Sequence, residues 1–253
     1  MTIDFYDQLT PLYHLIHQDW EGSIQRQGEQ LAALVESRWP GSRKLLDVSC
    51  GIGTQAIGLA QRGYAVTASD LSPNEIARAG REAALRHVDL TLSVCDMRQA
   101  HAHHGSGFDV VISCDNSLPH LLTDHDLLTA FKEMRACLRE GGGCLVTVRD
   151  YEREERGKNL VKPYGTRLVD GRRYLLFQVW DFDDPHAGEH YDLSFFFVEE
   201  DLSTREVRTH VMRSRYYAVS TLRLIELMRE AGFENVQQLD GVFYQPVLVG
   251  TRA

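Results

Sequence analysis

Long apolar runs are missing from this chain. No stretch reads as a membrane span, and the opening residues, MTIDFYDQLT, are polar and acidic and do not read as a secretory leader. Basic charge is also short. The 27 Lys and Arg are outnumbered by 36 Asp and Glu, and the net charge of −9 excludes a general nucleic-acid binder while leaving room for a local basic patch. Paired cysteine motifs are absent. Cys50, Cys95, Cys114, Cys137 and Cys144 include no C-x-x-C, and three sit in or beside expected core strands, so free thiols in a reducing cytoplasm are expected. A metal motif is lacking too. His101, His103 and His104 fall in an expected loop with Gly105 and Gly107, and no Cys, Asp or Glu joins them at helical ligand spacing, so no metal centre is expected.

What is present is an ordinary globular composition, 43% hydrophobic and 25% charged over 253 residues, enough for one large domain or a core with a small second unit. The rest of the chain is organised around LLDVSCGIGT, residues 45–54. Its apolar start reads as a buried parallel strand, its Gly51-Ile52-Gly53 as a tight turn, and Thr54 onward as a helix. Strand, glycine loop, helix is the nucleotide-binding turn of a doubly wound α/β sheet. Gly51 permits positive φ, and Gly53 lets a ligand approach bare backbone. With Ala56, the same glycines also fit the G-x-G-x-x-G/A pattern of nicotinamide and flavin enzymes. Asp47 weighs against that reading, because a carboxylate aimed at the loop suits a cationic ligand and repels a pyrophosphate. Ser69-Asp70-Leu71 closes the next apolar strand, roughly 20 residues on, where an acid can accept both hydroxyls of a ribose.

The remaining elements follow from pattern. Residues 4–20 are rich in aromatics and read as a helix on the core or as a flap over a pocket; Trp20–Trp39 reads as a helix. Ser72-Pro73-Asn74-Glu75 is a helix start with Ser72 as N-cap and Glu75 completing a capping box. Strands are expected at Leu90–Val94, Phe108–Ser113 and Cys144–Val148, with a helix from Asp124 to Leu138 and a turn over Arg139–Gly143. Residues 151–218 hold no clear helix. Arg173–Phe182, Tyr191–Glu199 and Val207–Val219 read as strands, with a turn over Asp183–Gly188, which is an antiparallel meander. From Ser220 a helix and two strands complete the main sheet.

LDVSCGIGT with its distal acid resembles the first motifs of the class I S-adenosylmethionine (SAM)-dependent methyltransferases. CDNSLPHLLTD (114–124), VRDYE (148–152), GKN (157–159) and RYYAVS (215–220) narrow the likeness to the glycine and glycine/sarcosine N-methyltransferase group. The resemblance implies a Rossmann-like, seven-stranded, mostly parallel sheet built from residues 1–150 and 219–253, with residues 1–40 as a helical cap. An antiparallel β lid at 151–218 is inserted into it. It implies SAM as cofactor, held by Tyr6, Trp20, Arg26, Asp47, Ser49, Gly51, Gly53, Asp70, Leu71, Asp96, Met97 and Cys114. Asp96 takes the adenine amino group and Met97 packs on the ring. It implies an acceptor site of Asn116, His120, Arg149, Tyr164, Tyr216 and Tyr217, with Asn116, Arg149 and Tyr217 closest to the chemistry.

The chemistry suits those residue types. Methyl transfer to a neutral amine is an in-line displacement that needs positioning, not a nucleophilic triad. Asn116 can accept from an amine N–H, and the planar fork of Arg149 can grip a carboxylate. Tyr216 and Tyr217 alternate along a strand, so only one of them can face the site. His120 could serve as a base or merely as loop structure. The expected activity is methylation of a glycine- or sarcosine-like amine. Transfer to oxygen or to a larger metabolite, and a SAM sensor that transfers nothing, remain alternatives. The expected partner is a small-molecule acceptor, with no nucleic acid and no membrane; a homo-oligomer is left open.

Overall fold

The computed structural model describes residues 2–184 and 188–253. Two sheets are present. The larger has seven strands: β1 (Lys44–Asp47), β2 (Ala65–Asp70), β3 (Thr91–Val94), β4 (Phe108–Ser113), β5 (Leu138–Thr147), β10 (Phe233–Leu239) and β11 (Val247–Arg252). Their order is β10-β11-β5-β4-β1-β2-β3. β1 pairs in parallel with β2 and β4, β2 with β3, and β4 with β5, whereas β11 runs antiparallel to both its neighbours. The chain order reverses between β1 and β4, so the cleft at their carboxyl ends is the switch point where open α/β sheets bind ligands. This is the seven-stranded, mostly parallel architecture expected from the sequence.

Helices α2 (Trp20–Arg38), α3 (Thr54–Ala60), α4 (Pro73–Leu85), α5 (Ala100–His104), α6 (Asp124–Cys137) and α7 (Thr221–Glu230) flank this sheet, and α1 (Thr2–Leu9) precedes them. Two apolar clusters fill the two faces, one around Phe131, Val146 and Leu248, the other around Leu31, Leu45 and Ile112. Local chemistry sets the helix ends. Asp19 accepts from the Gly22 amide at the start of α2, and Ser72 accepts from the Glu75 amide at the start of α4. The residues after α2 fit closely. The Trp39 ring lies where a side chain on Gly143 would be, a Cβ there meeting the ring at 2.0 Å, and its indole nitrogen donates to Thr251 Oγ1. Gly143 belongs to a strand that begins at Leu138, so the turn expected over Arg139–Gly143 is instead the irregular first half of β5, with a register shift opposite Phe108/Val110.

The second sheet has four antiparallel strands in sequence order: β6 (Leu160–Val169), β7 (Arg172–Phe182), β8 (His190–Asp201) and β9 (Val207–Tyr217). The sequence reading found three of these. β6 escaped because Lys162, Pro163, Gly165 and Arg167 break the apolar alternation, and its burial alternates only weakly. The turn expected over Asp183–Gly188 includes residues 185–187, which lie outside the described residues. One face of this sheet carries Trp180, Tyr191, Phe195 and Tyr216, which close over Phe5, Leu9 and Leu15 of the N-terminal segment. Each such fully buried ring or aliphatic contributes about 1.5–3 kcal/mol. The many exposed Arg–Glu pairs on the opposite side, such as Arg173–Glu200, each contribute about 0–1 kcal/mol. Apolar contact therefore holds the second sheet to the N-terminus.

Candidate active site

Two cavities meet at the switch point. The first, about 260 Å³, lies over the ends of β1, β2 and β3. The second, about 80 Å³, lies between the end of β4 and the aromatic face of the second sheet. Tyr6 and Tyr13 line both.

The first cavity is built on the glycine loop. Gly51 has φ of 53°, and a Cβ on it would come within 2.9 Å of Glu75 Oε2 and 3.2 Å of the Tyr13 ring, so only glycine leaves this wall open. The Gly51 amide donates to Asp70 Oδ2 at 3.0 Å and the Ser72 amide to Asp70 Oδ1 at 3.0 Å. These bonds aim the Asp70 carboxyl at the cavity and offset part of the burial that raises its pKa. Asp96 follows β3 and is held by Arg98, whose Nη2 lies 2.6 Å from Asp96 Oδ2 and whose Nη1 reaches Asp126. Although burial alone would raise it, the Arg98 contacts bring Asp96 below the ordinary carboxylate range.

Seven of the twelve expected cofactor residues line this cavity: Tyr6, Ser49, Gly51, Asp70, Leu71, Asp96 and Met97. Five do not. The Trp20 indole donates to Thr54 Oγ1, and its ring is covered by Arg78 and Arg86. Arg26 pairs with Asp19 and borders a separate hollow on the far side of Arg149. Gly53, with φ of 94°, caps α3, and its α-carbon faces Ile57 and Ala79, not open space. Cys114 is buried in the apolar cluster beneath. Asp47 is 1% exposed and sits behind the loop, where Oδ1 accepts from the Ser49 amide at 3.1 Å and Oδ2 has no partner. Burial pushes its pKa up to about 7. Tyr13, Glu75 and Arg98 line the cavity and were not expected there. Glu75 was read as half of a capping box. Ser72 does cap its amide, but the Ser72 amide turns to Asp70, leaving the Glu75 carboxyl free of that role.

The second cavity gathers Asn116, Arg149, Tyr164 and Tyr216 from four strand ends or strands. Asp115 and Asn116 both adopt left-handed backbone, φ 60° and 65°, a rare conformation for a consecutive pair. It is held by bonds on all sides. The Asn116 amide donates to the Thr147 carbonyl, its Oδ1 accepts from the Arg149 amide at 2.9 Å, and its Nδ2 donates to Tyr151 Oη at 2.8 Å. Arg149 lies over the Trp180 ring at 4.9 Å and pairs with Glu154 through Nη1, while its buried Nε has no hydrogen-bond partner among the described residues. Burial works against its charge, yet Tyr164, Tyr151, Tyr191 and Glu154 more than offset this and raise its pKa.

Two tyrosines separate cleanly. Tyr216 faces the second cavity, stacked on Tyr191 and 4.1 Å from the His120 ring. Tyr217 faces the opposite side, where its ring stacks on His190 and its hydroxyl donates to Asp124 Oδ1 at 3.0 Å. The expectation that Tyr217 faces the acceptor site is not met at this cavity: strand alternation turns it away, and Tyr216 is the member of the pair that lines the second cavity. His120 lines the first cavity, with Nε2 2.7 Å from Tyr6 Oη and Nδ1 3.3 Å from Ser214 Oγ. Burial lowers its pKa to about 3, so the ring is neutral at pH 7 and a weak base.

His103 and His104 belong to a short helix, not to the expected loop, and the fold brings Cys95 to them. Cys95 Sγ and one nitrogen of each imidazole lie within 4.8 Å of one another, with His104 Nε2 also 3.0 Å from Ser69 Oγ. Sequence spacing could not reveal Cys95, which comes from the end of β3.

A family model described as a methyltransferase domain matches residues 45–142. The chain is 33% identical over 144 residues to a glycine/sarcosine N-methyltransferase of Parasynechococcus marenigrum (strain WH8102), covering 57% of this chain and 50% of the relative. It is 32% identical over 143 residues to a dTDP-3-amino-3,6-dideoxy-alpha-D-glucopyranose N,N-dimethyltransferase of Streptomyces fradiae, covering 56% and 54%. The chain thus spans about half the length of these two curated relatives. Among solved structures, SAM-bound CalS10, an amino pentose methyltransferase from Micromonospora echinaspora, superposes with a TM-score of 0.77 at 21% identity over 91% of this chain and 92% of that one.

Proposed function

Since residues 45–142 are a methyltransferase domain set in the class I SAM-dependent fold, we propose that the protein methylates the amine of a small acceptor that also carries a carboxylate. The residues of the first cavity fit SAM. Gly51 leaves a cradle that a Cβ would fill, Asp70 presents a half-buried carboxyl, and neither oxygen of the buried Glu75 carboxyl has a hydrogen-bond partner among the described residues. Asp70 would accept the ribose hydroxyls, Asp96 with Met97 would flank the adenine, and the acid-rich wall favours a cation. When bound, SAM supplies a methyl group made electrophilic by its sulfonium.

The chain's own task is placement. The observation that carries the acceptor reading is Arg149, a guanidinium with an unsatisfied buried Nε in a small aromatic cavity that adjoins the first through Tyr6 and Tyr13. A buried donor without a partner is costly, about 1–3 kcal/mol, and an acceptor carboxylate would satisfy it. Asn116 Oδ1 keeps a lone pair beyond its bond to the Arg149 amide and can orient an amine N–H. His120, neutral and bonded to Tyr6, positions that ring and does not take the proton, which passes to water.

A second reading is an amino sugar acceptor. The hollow bordered by Arg26, Arg149, Tyr164, Tyr244 and Gln245, about 420 Å³, could take the bulk of a larger molecule whose amine enters the small cavity. A screen with labelled SAM separates the two. Label should pass to small amino acids and not to amino sugars or their nucleotide conjugates. Transfer only to amino sugars would establish the second reading, and transfer to no amine would overturn both.

A further inference from the structure

Glu75 is a buried acid that the roles above leave unused. It is 0% exposed, it lines the first cavity, and neither carboxyl oxygen has a hydrogen-bond partner among the described residues. Its position on α4 is fixed by the Ser72 cap and by Pro73 in the first turn, so the carboxyl is delivered by the helix rather than by a mobile loop. The Thr10 hydroxyl acts on Glu75 from α1's end, but its proton goes to the Tyr6 carbonyl at 2.7 Å. A buried carboxyl left this way costs a chain stability, and an apolar residue of similar length would fill the space without that cost. Such a group is retained when a ligand completes it.

The groups around it indicate which part of a ligand it meets. Asp70 and Asp7 act on it from β2 and α1, Arg78 from its own helix, and Tyr6 and Tyr13 from the N-terminal segment. The backbone that donates to Asp70, Gly51, is the same residue whose missing side chain leaves Glu75 Oε2 open to the cavity. Glu75 and Asp70 therefore border one spot. We propose that Glu75 is a second ribose-contacting residue, donating from its protonated carboxyl to a hydroxyl oxygen that Asp70 accepts from. Burial first, and then the adjacent Asp70, raise the Glu75 pKa against the opposing pull of Arg78 and Thr10, which favours the protonated, donating form of the carboxyl. One acid accepts and the other donates, so a pair of vicinal hydroxyls is read by both halves of its hydrogen-bonding capacity, and a ligand lacking one hydroxyl is rejected.

This inference rests on the first cavity being the SAM site, and the test keeps the two apart. The probes are S-adenosylhomocysteine and its 2′-deoxy and 3′-deoxy analogues, with binding measured by calorimetry on the wild type, Glu75→Gln and Glu75→Met. Glu75→Gln keeps a donor and should bind the full nucleoside within about threefold of the wild type, whereas Glu75→Met should lose roughly tenfold, one neutral hydrogen bond with its desolvation. The Met variant should melt at or above the wild-type temperature when unliganded, since the unpartnered acid is gone. The loss on removing one ribose hydroxyl should be severalfold smaller in Glu75→Met than in the wild type. Equal affinities in all three proteins, or the same deoxy penalty in each, would overturn the ribose role. A Gln variant as weak as Met would overturn the donor role. A wild type that binds no S-adenosylhomocysteine would bring down the SAM reading itself, and this one with it.

Discussion

The two cavities are walled by opposite means. Around the first, Asp70 and Glu75 line the space and Asp47 lies behind the glycine loop, three carboxyls whose pKa values burial raises; among the described residues Asp47 and Glu75 leave oxygens without hydrogen-bond partners. Around the second, Trp180, Tyr191, Phe195 and Tyr216 form a continuous aromatic shell with a single guanidinium set into it. One wall buries acids at a cost to the fold; the other is apolar contact that strengthens the fold, with Arg149 and Asn116 as polar groups set into it. Ligand affinity and chain stability thus lie on different surfaces, and substitutions should separate them.

The largest separation is expected at Arg149. Arg149→Lys keeps the charge facing Glu154 but loses the flat two-pronged donor, so kcat/KM for an amino-acid acceptor should fall by roughly 2–5 kcal/mol in transition-state terms. Calorimetric SAM affinity should stay within about twofold of the wild type, because Arg149 does not line the first cavity. The decarboxylated amine should lose little further in the variant. Equal losses for acid and amine would mean that Arg149 acts through packing on Trp180.

Next in size is a pH effect confined to the first wall. The folded pKa of Asp47, about 7, lies above its value in an unfolded chain, so between pH 4 and 7 the folded form holds a proton that the unfolded form has released. Stability contributed by that proton is complete below pH 4 and is lost as pH rises to 7, at about 1.4 kcal/mol per pH unit and at most ~4 kcal/mol in all. His120, whose folded pKa near 3 makes stability rise with pH up to about 6.5, acts in the opposite direction, so the Asp47 contribution is read as a difference: urea midpoints of unliganded Asp47→Asn should rise with pH more steeply than those of the wild type across this range. A variant with an unchanged slope would place the titration on Asp70 or Glu75.

The smallest effect is at Tyr217. Tyr217→Phe should cost about 1 kcal/mol of stability through the lost bond to Asp124 and should leave kcat/KM within about twofold. A large fall in activity at constant stability would return Tyr217 to the site.

The same contrast explains what could be read from the sequence. The first wall is mostly local: Ser49, Gly51, Asp70 and Leu71 lie at fixed offsets within one strand–loop–helix–strand unit, so periodicity and glycine placement expose them. Its missed members are a residue with a competing explanation, Glu75 as a cap, and two that arrive from outside the unit, Tyr13 and Arg98. The second wall is assembled by register. Trp180 and Tyr191 come together because β7 and β8 pair over their whole lengths, and no spacing along the chain encodes that. Asn116 and Arg149 were visible because each lies two or three residues past the end of a strand of the main sheet. The side chosen between Tyr216 and Tyr217 was not, since alternation fixes that they differ but not which way β9 faces. Trp20 and Arg26 lie away from the first cavity because their helix packs on α3, where the Trp20 indole bonds Thr54, while Arg26 stands exposed beside Asp19.

The contact between Trp39 and Gly143 carries a consequence for how this sequence can change. A methyl group added at Gly143 would be driven into the indole, and a small residue at Trp39 would leave a void over the strand and strand Thr251 without its donor. Either change alone is a step downhill in fitness, yet the two together restore the lost volume from the opposite side. The two positions, more than a hundred residues apart, are therefore bound to drift as a pair, each substitution neutral only in the company of the other, and a lineage that has crossed to the alternative pair cannot easily return.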